Sequence, residues 1–222
     1  GSPTPVTLLA GRSGVGSINI DSSTIQSNGG DITLGGFASA PGPFGSQIAN
    51  AALSTATSGV GVQVNNSTLN ANGGAISVRG VSQSNGGYGV SILRSDLSGV
   101  DLLIEGNATA DFASGVDIFN SYLLADRSLF VNGLGDIRGV MVRDSGGLTA
   151  GGSTPQLWVL PPSGSGSLGI TGESLEASNG AGVFGVSIDV TGRDQGSAAI
   201  ASWSSGSVSI DGFASATAGT AI

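Results

Sequence analysis

Carboxylates are the main side chains of this sequence that could support acid–base chemistry, because the chain has 15 Asp and Glu residues but no His and no Cys. Asp101 and Glu105 stand in an alternating segment, so both would point to the same side of a strand. At the rise of a strand they would lie about 13 Å apart. Glycoside hydrolysis needs two carboxyl groups about 5 to 9.5 Å apart. This pair therefore does not predict a hydrolase, and we expect most acids on the solvated surface.

The missing residue types exclude several kinds of site. A His-based triad, thiolate chemistry, a disulfide scaffold and a zinc cluster of Cys and His all need residues that the sequence lacks. Calcium binding in turns would be expected with a Gly-Gly-x-Gly-x-Asp nonapeptide, which is also missing. We therefore predict no catalytic residue, no metal site and no cofactor.

The charge and hydropathy of the sequence exclude several classes of binding partner. The net charge is −8, with seven Arg and no Lys, which argues against binding to nucleic acid or to an anionic membrane surface. No apolar run approaches the roughly 20 residues that span a bilayer, so we expect no membrane insertion. An ice-binding surface would need a flat row of Thr across successive repeats, and the sequence does not provide one.

Aromatic side chains favour another chemistry, the stacking of rings on sugar faces. The candidate ligand-binding residues are Phe44, Tyr88, Trp158 and Trp203. Each would serve equally well to cover an end of the fold or to pack under a loop. Two sequons, which begin at Asn66 and Asn107, are candidate glycosylation sites.

An internal repeat organises these residues and is clearest between Gly61 and Gly133. Each copy reads Gly-Val-x-Val/Ile, two residues, Ser, one residue and Leu, followed by a second aliphatic burst and a polar residue before Gly. The three clearest copies begin at Gly61, Gly89 and Gly115, and less regular copies extend in both directions. A constant strand pattern with variable spacers predicts coils joined by loops, not helical repeats.

Three sets of equivalent positions lead to structural predictions. We predict that one serine per copy stacks in single file, with its hydroxyl bonded to turn amides; the set is Ser23, Ser67, Ser95, Ser121 and Ser145. We predict that the glycine after each second burst lies at a corner with positive φ; the set is Gly36, Gly80, Gly106, Gly133, Gly172 and Gly212. Arg79 and Glu105 occupy equivalent positions, which predicts an ion pair between neighbouring copies.

These patterns predict an all-β fold. Alternating apolar residues in each burst share one face of a strand, and equivalent residues of successive copies would stack about 4.8 Å apart in a parallel, single-stranded β-solenoid. We predict roughly seven coils with two loop excursions, at residues 37–58 and 156–167. Residues 1–2 are interpreted as a remnant of expression cloning, and residues 3–222 as one β-helix domain cut from a longer chain.

The motif Gly-Val-x-Ile-x-x-Ser-x-Leu-x-Ala-x-Gly-Gly-x-Ile-x-Val-x-Gly resembles the repeat region of filamentous-haemagglutinin-type exoproteins. Gram-negative bacteria secrete these proteins through the two-partner (type V) pathway. The segments 28–34 and 72–78 carry the likeness best, and it covers most of residues 14–143 and, less closely, 168–222. The resemblance implies a right-handed parallel β-helix in a long fibrous adhesin. Phage tailspikes and polysaccharide lyases have similar coils.

The resemblance leads to expectations about function. We expect a segment of a large secreted adhesin or haemagglutinin at the bacterial cell surface, acting as a rigid rod or as a receptor- or glycan-binding section. Its partners would be a receptor or glycan on a host or neighbouring cell and, during secretion, an outer-membrane transporter; the fragment itself would be monomeric. The first alternative is a tailspike-like lyase or glycoside hydrolase that degrades polysaccharide. The second is the stalk of a contact-dependent inhibition exoprotein.

Overall fold

Segments of alternating aliphatic residues form the strands in a computed structural model of the chain, which describes residues 2–57, 59–144, 156–159, 166–175, 183–190, 199–202 and 207–214. Within these ranges the regular secondary structure is strand, apart from one 3₁₀ turn at Pro43–Gly45; turns and bends connect the strands. The strands are β1 (Val6–Ala10), β2 (Ile18–Asp21), β3 (Thr24–Gln26), β4 (Ile32–Gly36), β5 (Ala38–Pro41), β6 (Gln47–Ser54), β7 (Val60–Asn65), β8 (Thr68–Asn70), β9 (Ile76–Ser82), β10 (Tyr88–Leu93), β11 (Asp96–Ala108), β12 (Ser114–Phe119), β13 (Tyr122–Gly135), β14 (Arg138–Asp144), β15 (Gln156–Val159), β16 (Ser167–Ser174), β17 (Phe184–Val190), β18 (Ala199–Ser202) and β19 (Ser207–Ala214).

The strands form two sheets of stacked, mainly parallel strands. Sheet B has the order β17-β14-β12-β10-β7-β2, so each repeat contributes one strand to it. The other 13 strands form sheet A. It contains two parallel runs, because the long strands β11 and β13 each have two partners. The first part of β11 pairs with β8 and its second part with β9, whereas the first part of β13 pairs with β15 and its second part with β16. The predicted all-β class with stacked parallel strands is confirmed, and the arrangement is compatible with a β-solenoid.

The interior consists of columns of aliphatic side chains that run from one repeat to the next. In sheet B, for example, Val62, Val90 and Val116 occupy matched positions in neighbouring strands and are fully buried. In sheet A, Leu69, Leu97 and Leu123 do the same. Burial of each such side chain contributes about 1.5 to 3 kcal/mol. The alternating pattern therefore determines which face of every strand points inward.

The corner residues differ from the prediction. Positive φ angles occur at the residue before each of the four described ladder serines: Ser22 (46°), Asn66 (48°), Arg94 (47°) and Asn120 (47°). The six repeat glycines lie inside strands instead, so the prediction that they form corners with positive φ was wrong. Short polar side chains such as Asn tolerate the left-handed conformation because they can bond to the local backbone.

The repeat glycines have a different role, which is to let the two sheets touch. A Cβ added to Gly80 would overlap the carbonyl oxygen of Gly89, and the same holds for Gly106 with Gly115 and for Gly133 with the glycine that follows Arg138. Only a residue without a side chain permits this approach of two backbones. We call this line of contacts the glycine seam.

The first excursion is a β-hairpin. Strands β5 and β6 are antiparallel, with Ala40 opposite Ile48, and the end of β6 returns to pair in parallel with β9. The hairpin lies against later repeats, because the Asn107 Nδ2 group donates to the Pro41 carbonyl oxygen (2.7 Å) and the Phe44 amide N–H donates to Glu173 Oε2 (2.6 Å). Residue 58 lies outside the described ranges. Of the second excursion, the structure describes β15 and the start of β16.

The serines stack along one corner as a chain of hydrogen bonds. The amide N–H groups of Ser23, Ser67 and Ser95 donate to the hydroxyl oxygen of the serine in the next repeat, at 3.0, 3.0 and 3.1 Å. Each hydroxyl from Ser23 to Ser121 in turn donates to the carbonyl oxygen two residues earlier in its own chain segment, at 2.7 to 2.8 Å. The fifth serine, Ser145, lies outside the described residues. The hydroxyls thus pair corner amides that would otherwise be buried without a partner.

We expect Ser95→Ala to lower the free energy of unfolding by about 1 to 3 kcal/mol, because the buried Ser67 amide would lose its acceptor. Urea denaturation followed by circular dichroism would measure this change. Ser23→Ala is the matched control, since the Ser23 hydroxyl is exposed and accepts no bond from a described amide. Equal losses in the two variants would contradict a role for the hydrogen-bond chain.

Candidate functional site

A polar groove with a volume of about 220 Å³ lies on sheet A. It is open to solvent and combines amide, hydroxyl and carboxylate side chains with one aliphatic residue. Its lining residues are Asn70, Asn72, Gly73, Ser98, Gly99, Leu124 and Asp126. The sequence patterns did not identify this groove, because most of its lining residues stand at positions that vary from one repeat to the next.

The corner between the two runs of sheet A creates the groove. Asn70, Ser98 and Leu124 stand side by side in β8, β11 and β13 and are all partly exposed. Immediately afterwards the first repeat makes a turn, whereas β11 continues with a register shift between Gly99 and Asp101. The first repeat thus has a turn at this corner where the next two repeats have continuous strands. This difference leaves a depression in the surface of the sheet at the corner.

Local hydrogen bonding orients part of the lining. Asn72 has a φ of 49°, and its amide N–H donates to Asn70 Oδ1 at 2.8 Å. This bond holds the Asn70 side chain at the rim of the groove. Amides, hydroxyls and carboxylates are the groups that hydrogen-bond sugar hydroxyls, and the Leu124 side chain adds an apolar contact. The groove therefore has the composition of a shallow site for a neutral saccharide.

The two tryptophan candidates can be placed only in part. The backbone of Trp158, in β15, pairs with Leu124, so Trp158 occupies the register position next to a groove residue. Trp203 lies outside the described residues. Only the backbone of Trp158 is therefore located relative to the groove, in the strand next to Leu124.

The other two aromatic candidates lie elsewhere. Phe44 is at the tip of the hairpin, 55% exposed, with its ring edge-on to Phe213 at a centroid distance of 6.2 Å. Tyr88 begins β10 in sheet B and is partly buried. Burial, followed by the negative charge of Asp117, raises the pKa of the Tyr88 hydroxyl. The structure does not bring either ring into the groove.

The two sequon asparagines have different surroundings. Asn66 is exposed at a corner, and its Nδ2 group donates to the Ser22 hydroxyl at 3.3 Å. Asn107 is only 3% exposed, and its Nδ2 group donates to the Pro41 carbonyl under the hairpin. A glycan on Asn107 would require the hairpin to lift from the sheet, so this environment argues against modification of the folded chain.

A second polar cluster, which the sequence patterns also missed, lies on the outward face of sheet B. The Asp117 side chain is 1% exposed and accepts hydrogen bonds from Arg143 Nε (2.8 Å) and Nη2 (2.7 Å). The Phe119 ring lies near two guanidinium groups, those of Arg143 (4.8 Å to the centroid) and Arg94 (5.4 Å). The signal that could have revealed this cluster is an acid at the variable position of the Gly-Val-x-Ile motif.

Two acids of sheet A, Asp101 and Glu105, bond to basic or polar side chains. Arg79 Nε bonds Glu105 Oε2 at 2.7 Å, which confirms the predicted ion pair, although both side chains are partly buried. On its other side Glu105 faces Asn132. Asp101 accepts bonds from Arg127 and from the Ser128 hydroxyl. Among the described residues, no group of three or more potential metal ligands comes together.

The Asp101 carboxyl offers a test of this pairing in solution. Its hydrogen bond to Arg127 lowers its pKa below the ordinary value of 3.8, against an opposing effect of burial. Because the folded-state pKa is lowered, the contribution of the pair to stability is present above the ordinary carboxyl pKa and is lost as the pH falls through the lowered value. We expect Arg127→Gln to raise the Asp101 pKa, measured by NMR titration of the carboxyl carbon. Arg79→Gln should leave the Asp101 titration unchanged, and an unchanged titration in Arg127→Gln would refute the pairing.

Comparison with protein family models, curated proteins and solved structures finds no match to this chain. In the part of the chain that the structure describes, no helix is long and apolar enough to cross a membrane.

Proposed function

We propose that the chain is a right-handed parallel β-helix of roughly seven coils and a segment of a large adhesin of the filamentous-haemagglutinin type, secreted to the bacterial surface. The observation that carries this proposal is the in-register parallel stack, in which Ser23, Ser67, Ser95 and Ser121 bond one to the next. A stack of this kind can be lengthened by adding repeats, because each repeat contacts mainly its neighbours. That property suits a fibrous stalk.

The groove gives the proposed stalk a binding function. Its polar lining and its position on the side of the stack would allow a glycan of a host or neighbouring cell to bind without access to an end of the rod. Asn70, Ser98 and Asp126 would bond sugar hydroxyls, and Trp158 in the neighbouring strand would supply an aromatic face. A receptor on the opposing cell is then a glycan-bearing molecule, and an outer-membrane transporter is the partner during secretion.

A glycan array probed with the purified chain tests this function. We expect retention of particular glycans that falls at least fivefold in Asn70→Ala, since the loss of one hydrogen bond is worth about 1 kcal/mol. Trp158→Ala should reduce retention as well. Phe130→Ala is the control, because Phe130 is a 41% exposed aromatic residue of β13 that does not line the groove.

The same samples distinguish the alternatives. Retention that is equal in the parent chain and in both groove variants would place binding outside the groove. Time-dependent shortening of a bound oligosaccharide would favour a polysaccharide-degrading enzyme instead. Neither retention nor shortening would favour a spacer, such as the stalk of a contact-dependent inhibition exoprotein.

A further inference from the structure

Three turns of the chain contain the same tripeptide, Asn-Gly-Gly. The tripeptides are residues 28–30, 72–74 and 85–87, and the asparagine is exposed in each of them. The backbone nitrogen of a glycine can attack the side-chain carbonyl carbon of a preceding asparagine, because a glycine has no Cβ that would hinder the approach. This reaction needs no enzyme. Each of the three turns is therefore a candidate site of self-modification.

The glycine amides that would act as nucleophiles differ in their hydrogen bonds. The Gly29 N–H donates to the Ala71 carbonyl oxygen at 2.9 Å, and the Gly86 N–H donates to the Asp111 carbonyl oxygen at 2.7 Å. The Gly73 N–H, by contrast, has no acceptor among the described residues. Rotation of the peptide group toward the asparagine side chain therefore breaks a hydrogen bond in the first and third turns but not in the second.

The shape of the following repeat explains why Gly73 lacks an acceptor. Turn 28–30 stacks next to turn 72–74, and the bond from Gly29 ends on Ala71, the residue that precedes the second turn. By the register of β8 and β11, the equivalent acceptor for Gly73 would be the carbonyl oxygen of Gly99. However, β11 continues as a strand with a register shift after Gly99 instead of making a turn. The stacking of turns therefore ends at Gly73, which leaves its amide free.

We propose that Asn72 is a site of spontaneous deamidation, with the Gly73 amide nitrogen as the nucleophile. This nitrogen forms a bond to the Asn72 Cγ atom, the bond from Cγ to Nδ2 breaks, and ammonia leaves with the proton of the attacking amide. Water then opens the cyclic imide at one of its two carbonyl carbons, which gives aspartate or isoaspartate. The turn has room for the required rotation, because a Cβ built on Gly73 would meet only the Gly29 Cα atom, at 3.9 Å.

The reaction would alter the groove on sheet A, because Asn72 and Gly73 both belong to its lining. Either product adds a carboxylate to a lining that already contains Asp126. Isoaspartate also inserts a carbon atom into the backbone of the turn whose Asn72 amide bonds Asn70 Oδ1. If the groove binds a neutral saccharide, on which this consequence rests, the modified chain should bind it more weakly. Deamidation would then limit the lifetime of the binding site.

Incubation of the purified chain in water enriched in heavy oxygen, followed by peptide mass spectrometry, tests the proposal. Each conversion takes up an oxygen atom from the solvent, so Asn28, Asn72 and Asn85 can be followed in the same sample. In the folded chain we expect Asn72 to convert about tenfold faster than the other two, because their turns must first break a backbone hydrogen bond. The identical tripeptides make Asn28 and Asn85 internal controls. In urea, where the turns are unfolded, the advantage of Asn72 should disappear.

Three results would overturn the proposal. These are conversion of Asn28 or Asn85 as fast as that of Asn72 in the folded chain, a preference for Asn72 that persists in urea, or a folded Asn72 that stays intact while the unfolded one converts. The effect on the groove is measured separately: chain eluted from a retained glycan should contain less converted Asn72 than unbound chain, and equal fractions would contradict that effect. If the fresh chain retains no glycan, the proposed function fails, whereas the mass spectra still decide whether Asn72 is the modified residue.

Discussion

Gly106→Ala is expected to destabilise the chain by about 3 kcal/mol, the upper end of the usual range for overpacking, because the added methyl group has no space between the sheets. Its Cβ would overlap the carbonyl oxygen of Gly115, and it would lie 2.7 Å from the carbonyl carbon and 2.8 Å from Val116 Cγ2. The obstacle is mainly the backbone of the paired strand β12, so relief requires β11 and β12 to separate. Urea denaturation followed by circular dichroism would measure the loss in the free energy of unfolding.

Gly169→Ala provides the matched control on sheet A. Gly169 lies inside β16, and the nearest atom to an added Cβ is Cδ1 of Phe130, at 2.8 Å. The Phe130 side chain is 41% exposed, so its ring can turn away. We expect this variant to change the free energy of unfolding by less than about 1 kcal/mol. If both glycine variants lost the same stability, the contact between the sheets would not explain the repeat glycines.

Arg143→Leu is expected to cost about 3 kcal/mol, near the lower end of the range for breaking a buried ion pair. Asp117 is 1% exposed, and the substitution would remove both hydrogen bonds that Arg143 donates to its carboxylate. The Arg143 side chain is 34% exposed, so part of its own charge is already solvated and the loss should not reach the upper end of that range. Thermal and urea unfolding would both report the change.

The preceding repeat supplies a control for this second prediction. Ser91 and Leu93 of β10 occupy the positions that correspond to Asp117 and Phe119, and Arg143 lies in the same outward row as Leu93. The double variant Asp117→Ser/Arg143→Leu replaces the charges with residue types that this face already holds. We expect it to recover most of the stability lost in Arg143→Leu, since no buried charge remains. A double variant as unstable as the single one would show that Arg143 acts through packing instead.

The groove depends on a corner of sheet A where successive repeats differ. Asn70, Ser98 and Leu124 in its lining occupy partly exposed positions, which the repeat leaves free to vary. Such a scaffold can change its ligands without changing its columns of buried aliphatic residues.

Stacking was predictable from the sequence because it follows from local patterns. The alternation of aliphatic residues sets the inward face of each strand, and a parallel stack then brings equivalent positions together. This reasoning anticipated the contact between Arg79 and Glu105 and the parallel pairing of the strands. The handedness and the number of coils stay predictions, as does the function as an adhesin.

Contacts between different faces of the stack were decided by the tertiary structure alone. The repeat glycines were expected at corners, but their positions reflect how closely two sheets approach, which no pattern within a single strand encodes. The hairpin over Asn107 and the groove beside Ser98 likewise join segments that lie in separate repeats. A one-dimensional repeat specifies which residues follow one another along the stack. The distances across the stack depend on side-chain volumes and corner geometry, and these appear only when the chain is folded.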